Sequence, residues 1–173
     1  MTLPTAQAEW ALRRLTSRTA DYLDTPGSSA NLGRHLPERL ATRDANALVD
    51  LVAVAESFCV ARLASVGLTA DVHTWHKRSV AWLKRSVDLA KDCPEWPAFM
   101  GFVEARNAIQ HGLGKLTDLQ LGTRKLQILR FLVAADIRLN GNEILIGPTD
   151  VARCDGVCKD FIRWLDARAP APF

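Results

Sequence analysis

With 173 residues the chain is long enough for one domain with a full hydrophobic core and too short for two of ordinary size. Apolar residues make up 48 % and charged residues 24 %, a balance that excludes collagen-like, disordered and disulfide-scaffold proteins. The formal net charge of +3 permits a polyanionic partner without demanding one.

No run of about 20 apolar residues occurs. The most apolar stretch, Leu48 to Leu68, is interrupted by Asp50, Glu56 and Arg62, so no membrane partner is expected. The start, Met1-Thr2-Leu3-Pro4, lacks a basic region followed by an apolar one, so no secretory signal is read. Four irregularly spaced cysteines then point to reduced thiols and a cytoplasmic location.

Helical periodicity dominates the chain. Leu3 to Asp24 predicts a first helix, closed by Thr25-Pro26-Gly27. A long connection follows to about Arg43, with one short turn at Pro37 to Leu40. Asp44 to Val66 predicts a second helix, stopped by Gly67, and His73 to Ala90 a third. Ala98 to His111 predicts a fourth, with Gly112 placed as its left-handed C′ residue. Thr117-Asp118-Leu119-Gln120 is a capping-box pattern opening a fifth helix to about Ala134. Residues 136–146 alternate about Asn140-Gly141, the strongest short hairpin signal. Thr149 to Arg168 returns to helix, and 169–173 reads as a disordered tail. The expected architecture is one all-α domain over 1–168, a helical bundle with an appended β-hairpin near residues 136–146.

The second helix is apolar nearly all round, as a central helix is. Leu48, Val52, Leu63 and Val66 share one side, Val49 and Val60 lie beside them, and Glu56 falls inside this arc. A carboxylate there needs a partner, because an isolated ion in the core costs several kcal/mol. The fourth helix offers one. Phe99, Phe102, Val103, Ile109 and Leu113 form an apolar arc with Arg106 near its middle. An arginine so placed is paired in the core, stacked at a subunit interface, or facing a bound anion. Asn107 and His111 share a neighbouring face, with Glu104 close by. A guanidinium, an amide and an imidazole thus converge within a turn and a half at a helix end.

The run Phe102-Val103-Glu104-Ala105-Arg106-Asn107-Ala108-Ile109-Gln110-His111-Gly112-Leu113-Gly114 resembles the signature of the HEPN superfamily: arginine, a polar residue, three variable residues, then histidine, near the end of a helix. The continuation Lys115-Leu116-Thr117-Asp118-Leu119-Gln120 is similar to bacterial members of its ribonuclease-L/PSP-type branch. The close likeness covers about twenty residues. It implies a HEPN-like up-and-down bundle acting as a homodimer. It also implies a metal-independent endoribonuclease of toxin or antiphage-defence type, without a cofactor. Arg106 and His111 would then be the catalytic pair and Asn107 their support, with Glu56, Glu104 and Lys115 in supporting positions. The chemistry suits these groups, since imidazole transfers protons near neutral pH and guanidinium stabilises charge growing on a phosphorane. One motif histidine per chain, His111, for two proton transfers favours a composite site across a two-fold axis. An antitoxin or a nucleotidyltransferase are the further partners the resemblance implies. The alternative is the same bundle without catalysis, binding RNA or a protein partner.

Other patterns weigh less. Gly112-Leu113-Gly114-Lys115-Leu116-Thr117 follows a helix, not a strand, and so is no phosphate loop. Trp75, Trp82 and Leu89, seven apart with Arg78 and Arg85 alongside, could stack on single-stranded RNA but more often form core. Cys154 with Cys158 and His73 with His76 have ligand-like spacings that helices also produce freely, so no metal is expected. Cys59 and Cys93 read as buried thiols, and His35 has no role.

Overall fold

The computed structural model describes residues 3–24, 42–68 and 73–169. The turn expected at Pro37–Leu40, His35 and the tail from residue 170 lie outside them. Among the described residues eight helices and one hairpin follow in the order α1 (Ala6–Asp24), α2 (Thr42–Ser65), α3 (Trp75–Leu83), α4 (Leu89–Asp92), α5 (Trp96–Gly112), α6 (Asp118–Leu121), α7 (Lys125–Ala134), β1 (Arg138–Asn140), β2 (Glu143–Leu145) and α8 (Pro148–Arg168). The molecule is an all-α bundle with an appended hairpin. Among the described residues no helix is long and apolar enough to cross a membrane.

The apolar circumference of α2 makes it the hub. It packs on α1, α5 and α8 and touches α3, while α5 lies against α7 and α8 as well. Leu48, Leu51, Val52, Phe58 and Leu63 of α2 are all buried. Beneath the α3–α5 junction Phe99 and Phe161 stack at 4.2 Å, and Trp75 meets Phe99 edge-on at 4.9 Å. Aromatic pairs in these geometries add to the area they bury. They dock the start of α3 against α5 and α8.

The α1 start is tied to α8 by charge. The Thr5 amide and hydroxyl donate to the Asp166 carboxylate at 2.8 and 2.6 Å, and Arg62 of α2 lies 3.3 Å from the same group. Arg62 and Asp166 are almost wholly buried, so their pairing offsets a large desolvation cost.

Three expectations are corrected. The third helix does not run from His73 to Ala90. It ends at Leu83, the chain turns through Ser86 at φ +61, and Asp88 caps the short α4 by accepting from the Ala90 and Lys91 amides. The fifth helix does begin with the Thr117–Gln120 capping box, but Gly122 leaves helical torsions and splits it into α6 and α7. Gly112 is not the left-handed residue: the helix keeps it, and Leu113 takes that conformation at φ +52, ψ +39. The amides of Leu113 and Gly114 both reach the Ala108 carbonyl, which fixes the end one residue later than glycine placement implies. A leucine held there costs roughly 1–2 kcal/mol.

In the hairpin, Asn140 pairs with Glu143, so the loop is Gly141-Asn142. Glycine at φ +61 takes the first loop position, where a two-residue hairpin requires it. A third edge joins this sheet. Leu116 N–H donates to Asn142 O and Ile144 N–H to Gly114 O, binding the segment after α5 to β2.

Helices α5 and α7 meet closely at Gly101, where a β-carbon would stand 2.2 Å from the Phe131 carbonyl oxygen. Gly101→Ala must therefore part α5 from α7. Its expected cost is about 3 kcal/mol, read as a fall of roughly 6–12 °C in the thermal midpoint.

The four cysteines are free and buried, as the sequence implied for Cys59 and Cys93. Burial pushes the Cys59 and Cys93 thiols up to about 12 and raises Cys154 as well. Burial, then the hydrogen bond to Asp44, lifts Tyr22 to about 12. These groups hold their protons more tightly folded than unfolded. Their contribution is complete below about pH 9 and is lost as pH rises toward 12. Two outcomes are expected: alkylation of none of the four thiols in native protein and all four in denaturant, read by mass spectrometry, and a midpoint that falls steadily above about pH 9.

Candidate anion-binding cleft

Because Phe99, Phe102 and Val103 are buried in the core, helical phase turns Arg106 inward beside Glu56 of α2. Arg106 Nη2 lies 3.1 Å from Glu56 Oε2, the partnership that two ionisable groups in apolar arcs demanded. Arg106 Nη1 also donates to Asn107 Oδ1 at 3.1 Å. The side chain keeps 24 % of its exposure, so the guanidinium is anchored without being sealed.

Glu56 has two further partners that the sequence did not show. Arg78 donates to Oε1 at 3.0 Å and the Trp75 indole to the same oxygen at 2.8 Å. Arg78 also stacks over the Trp75 ring at 4.6 Å. Trp75, Trp82 and Leu89 are all buried, so the tryptophan stripe is core and offers no stacking platform. Glu104 is buried too, accepting from Gln120 Nε2 at 2.9 Å and from Arg124 Nη2 at 3.5 Å.

These groups surround a cleft of about 590 Å³ between α3, α5 and α7. Trp96, Met100, Val103 and Phe131 form its apolar wall, while Arg106, Asn107, Arg124 and Gln127 line it with donors and amides. His73 and His76 line it from the other side, at the start of α3. The sequence signalled them only as a histidine pair of ligand-like spacing. Cys154 and Cys158, the other pair of ligand-like spacing, are buried on α8 with sulfurs 3.9 Å apart. Among the described residues no group of three or more His, Cys, Asp or Glu side chains could hold a metal ion.

Of the candidate residues, Glu56, Glu104, Arg106 and Asn107 thus share one cleft. His111 and Lys115 do not line it. Both are exposed, His111 on the last turn of α5 about 7.5 Å further along the axis than Arg106, and Lys115 on the segment whose backbone pairs with the hairpin opposite Glu143. Leu113 beside His111 is 89 % exposed, and Leu119 nearly as much.

No family model matches the chain, and neither curated proteins nor solved structures give a match.

Proposed function

We propose that the chain is a metal-independent endoribonuclease in which Arg106, Asn107 and His111 cleave RNA by attack of the neighbouring 2′-hydroxyl, as a HEPN-like homodimer. The observation that carries the proposal is the fixed guanidinium. Glu56 and Asn107 hold Arg106 at a half-open position, one and a half turns before an exposed imidazole on the same helix. In this reading Arg106 binds the scissile phosphate and stabilises the charge that grows on its oxygens. His111 moves the proton, and its twin supplies the second transfer.

The dimer draws support from the tip of α5. An exposed leucine kept in left-handed backbone is a strained feature of the sort that clusters at functional positions. Two residues from His111 it presents an exposed apolar side chain, suited to a self-complementary contact. Cytoplasmic location and control by an antitoxin or a nucleotidyltransferase belong to the same proposal.

Incubation of total RNA with the purified protein in EDTA tests it. Fragments ending in cyclic phosphate are expected, from a protein that sediments as a dimer. Leu113→Lys should give a monomer that no longer cleaves. Intact RNA throughout overturns the nuclease reading. A second reading, an inactive RNA-binding module, is favoured by one fact: His111 stands outside the cleft that Arg106 lines. Retention of RNA without cleavage selects it.

A further inference from the structure

We infer that the outward face of α7 is a docking site for an acidic amphipathic helix of a protein partner. A surface helix of a globular protein carries one apolar stripe, turned to the core. Helix α7 carries two. Ile128 and Leu132 are buried, and across the same helix Leu126 and Val133 are 74 % and 76 % exposed, with Leu129 half-buried between them. Exposed apolar side chains scattered singly need no explanation. These three recur at i, i+3 and i+7, which sets them in one row along the axis.

That spacing is the a–d–a′ spacing of a coiled-coil seam, so its complement is another helix that sets its own apolar row into it. The flanking positions name the charge of that helix. With Leu126 at a and Leu129 at d, Lys125 falls at g and Arg130 at e, one on each side of the row. Both are exposed, and α7 holds no Asp or Glu. Among the described residues neither Lys125 nor Arg130 is paired with a carboxylate. Residues at e and g choose a partner by charge, so glutamates at the matching positions of the incoming helix fit.

The same two cations disfavour a second copy of this chain. In a two-fold contact of α7 with itself, antiparallel helices bring Arg130 against Arg130 and Lys125 against Lys125, and parallel ones bring Lys125 against Arg130. Like charges meet either way. The seam is a little over one heptad on a helix about 15 Å long, too short to fold two free helices. Here α5 already holds α7 in helical form, so only the incoming segment has to order. None of these residues takes part in the proposed cleavage.

The test is titration of the full chain with a fluorescein-labelled three-heptad helical peptide that has leucine at a and d and glutamate at e and g, followed by anisotropy. Saturable binding is expected at about 100 μM or tighter, with the same peptide carrying lysine at e and g about tenfold weaker or more. Leu126→Gln with Val133→Gln alters only exposed side chains, so the melting curve should stay while the glutamate peptide binds about tenfold weaker or more. Lys125→Glu with Arg130→Glu should reverse the preference, so that the lysine peptide binds tighter. No saturable binding at millimolar peptide, equal binding of the two peptides, or binding that the glutamine pair leaves unchanged overturns the proposal. So does a dimer that the glutamine pair turns into monomer, which assigns the face to a second copy. Binding to vesicles of phosphatidylserine and phosphatidylcholine that the glutamine pair abolishes, with no peptide binding, assigns the face to a lipid surface and overturns the proposal too.

Discussion

In the total-RNA assay, His111→Ala is expected to slow cleavage by about 10³-fold, within the range that a positioned proton-transfer group supplies. Removing Arg106 is expected to cost at least as much, because it withdraws the group proposed to balance the phosphorane charge. The two variants should differ in what else changes. His111 is exposed, so His111→Ala should melt with the wild type. Arg106→Ala should melt lower, since it strips a partly buried carboxylate of one of its three donors. Arg106→Lys restores the charge but not the fork, and recovery of full cleavage by it would remove the proposed bidentate phosphate contact. Equal cleavage by wild type and His111→Ala would dispose of the catalytic role of the imidazole.

A loss of stability as large as that of Gly101→Ala is expected at Glu56. Glu56→Ala leaves Arg78 and Arg106 facing each other with no anion between them, and leaves the Trp75 indole without its acceptor. Breaking a buried ion cluster from one side costs 3–5 kcal/mol, and the partial exposure of Arg106 argues for the lower figure. At about 3 kcal/mol the thermal midpoint falls by roughly 6–12 °C. Glu56→Gln keeps an acceptor for the indole while removing the charge, and its midpoint should lie between the other two. A midpoint within about 1 °C of wild type for Glu56→Ala would show that the cluster contributes nothing net. Cleavage should fall in both variants, because Arg106 loses the contact that orients it.

The pairing at the centre of this site was legible in the sequence because it follows from periodicity and electrostatics alone. Glu56 and Arg106 each sit inside an apolar arc, and an ion there must find its opposite. The hairpin and the Thr117 capping box were legible for the same local reason. The helix breaks were not. Trp82 and Leu89 keep their seven-residue phase across the turn at Lys84–Ser86, so the apolar stripe runs on where the backbone does not. The cleft was least legible of all. Its walls come from α3, α5 and α7, and only the folding of α7 back along α5, permitted by Gly101, brings Arg124 and Gln127 opposite the start of α3. Helical spacing says nothing about such distant neighbours.

The strip of chain leaving α5 is stitched at Gly114 and Leu116 to Ile144 of β2 and to Asn142 of the hairpin loop. The hairpin therefore works as a splint for the helix end that carries His111. A peptide tag spliced between Gly141 and Asn142 would loosen that splint and be felt at the imidazole, although the two lie far apart in the primary structure. Protein engineers extending this chain should leave that bend alone.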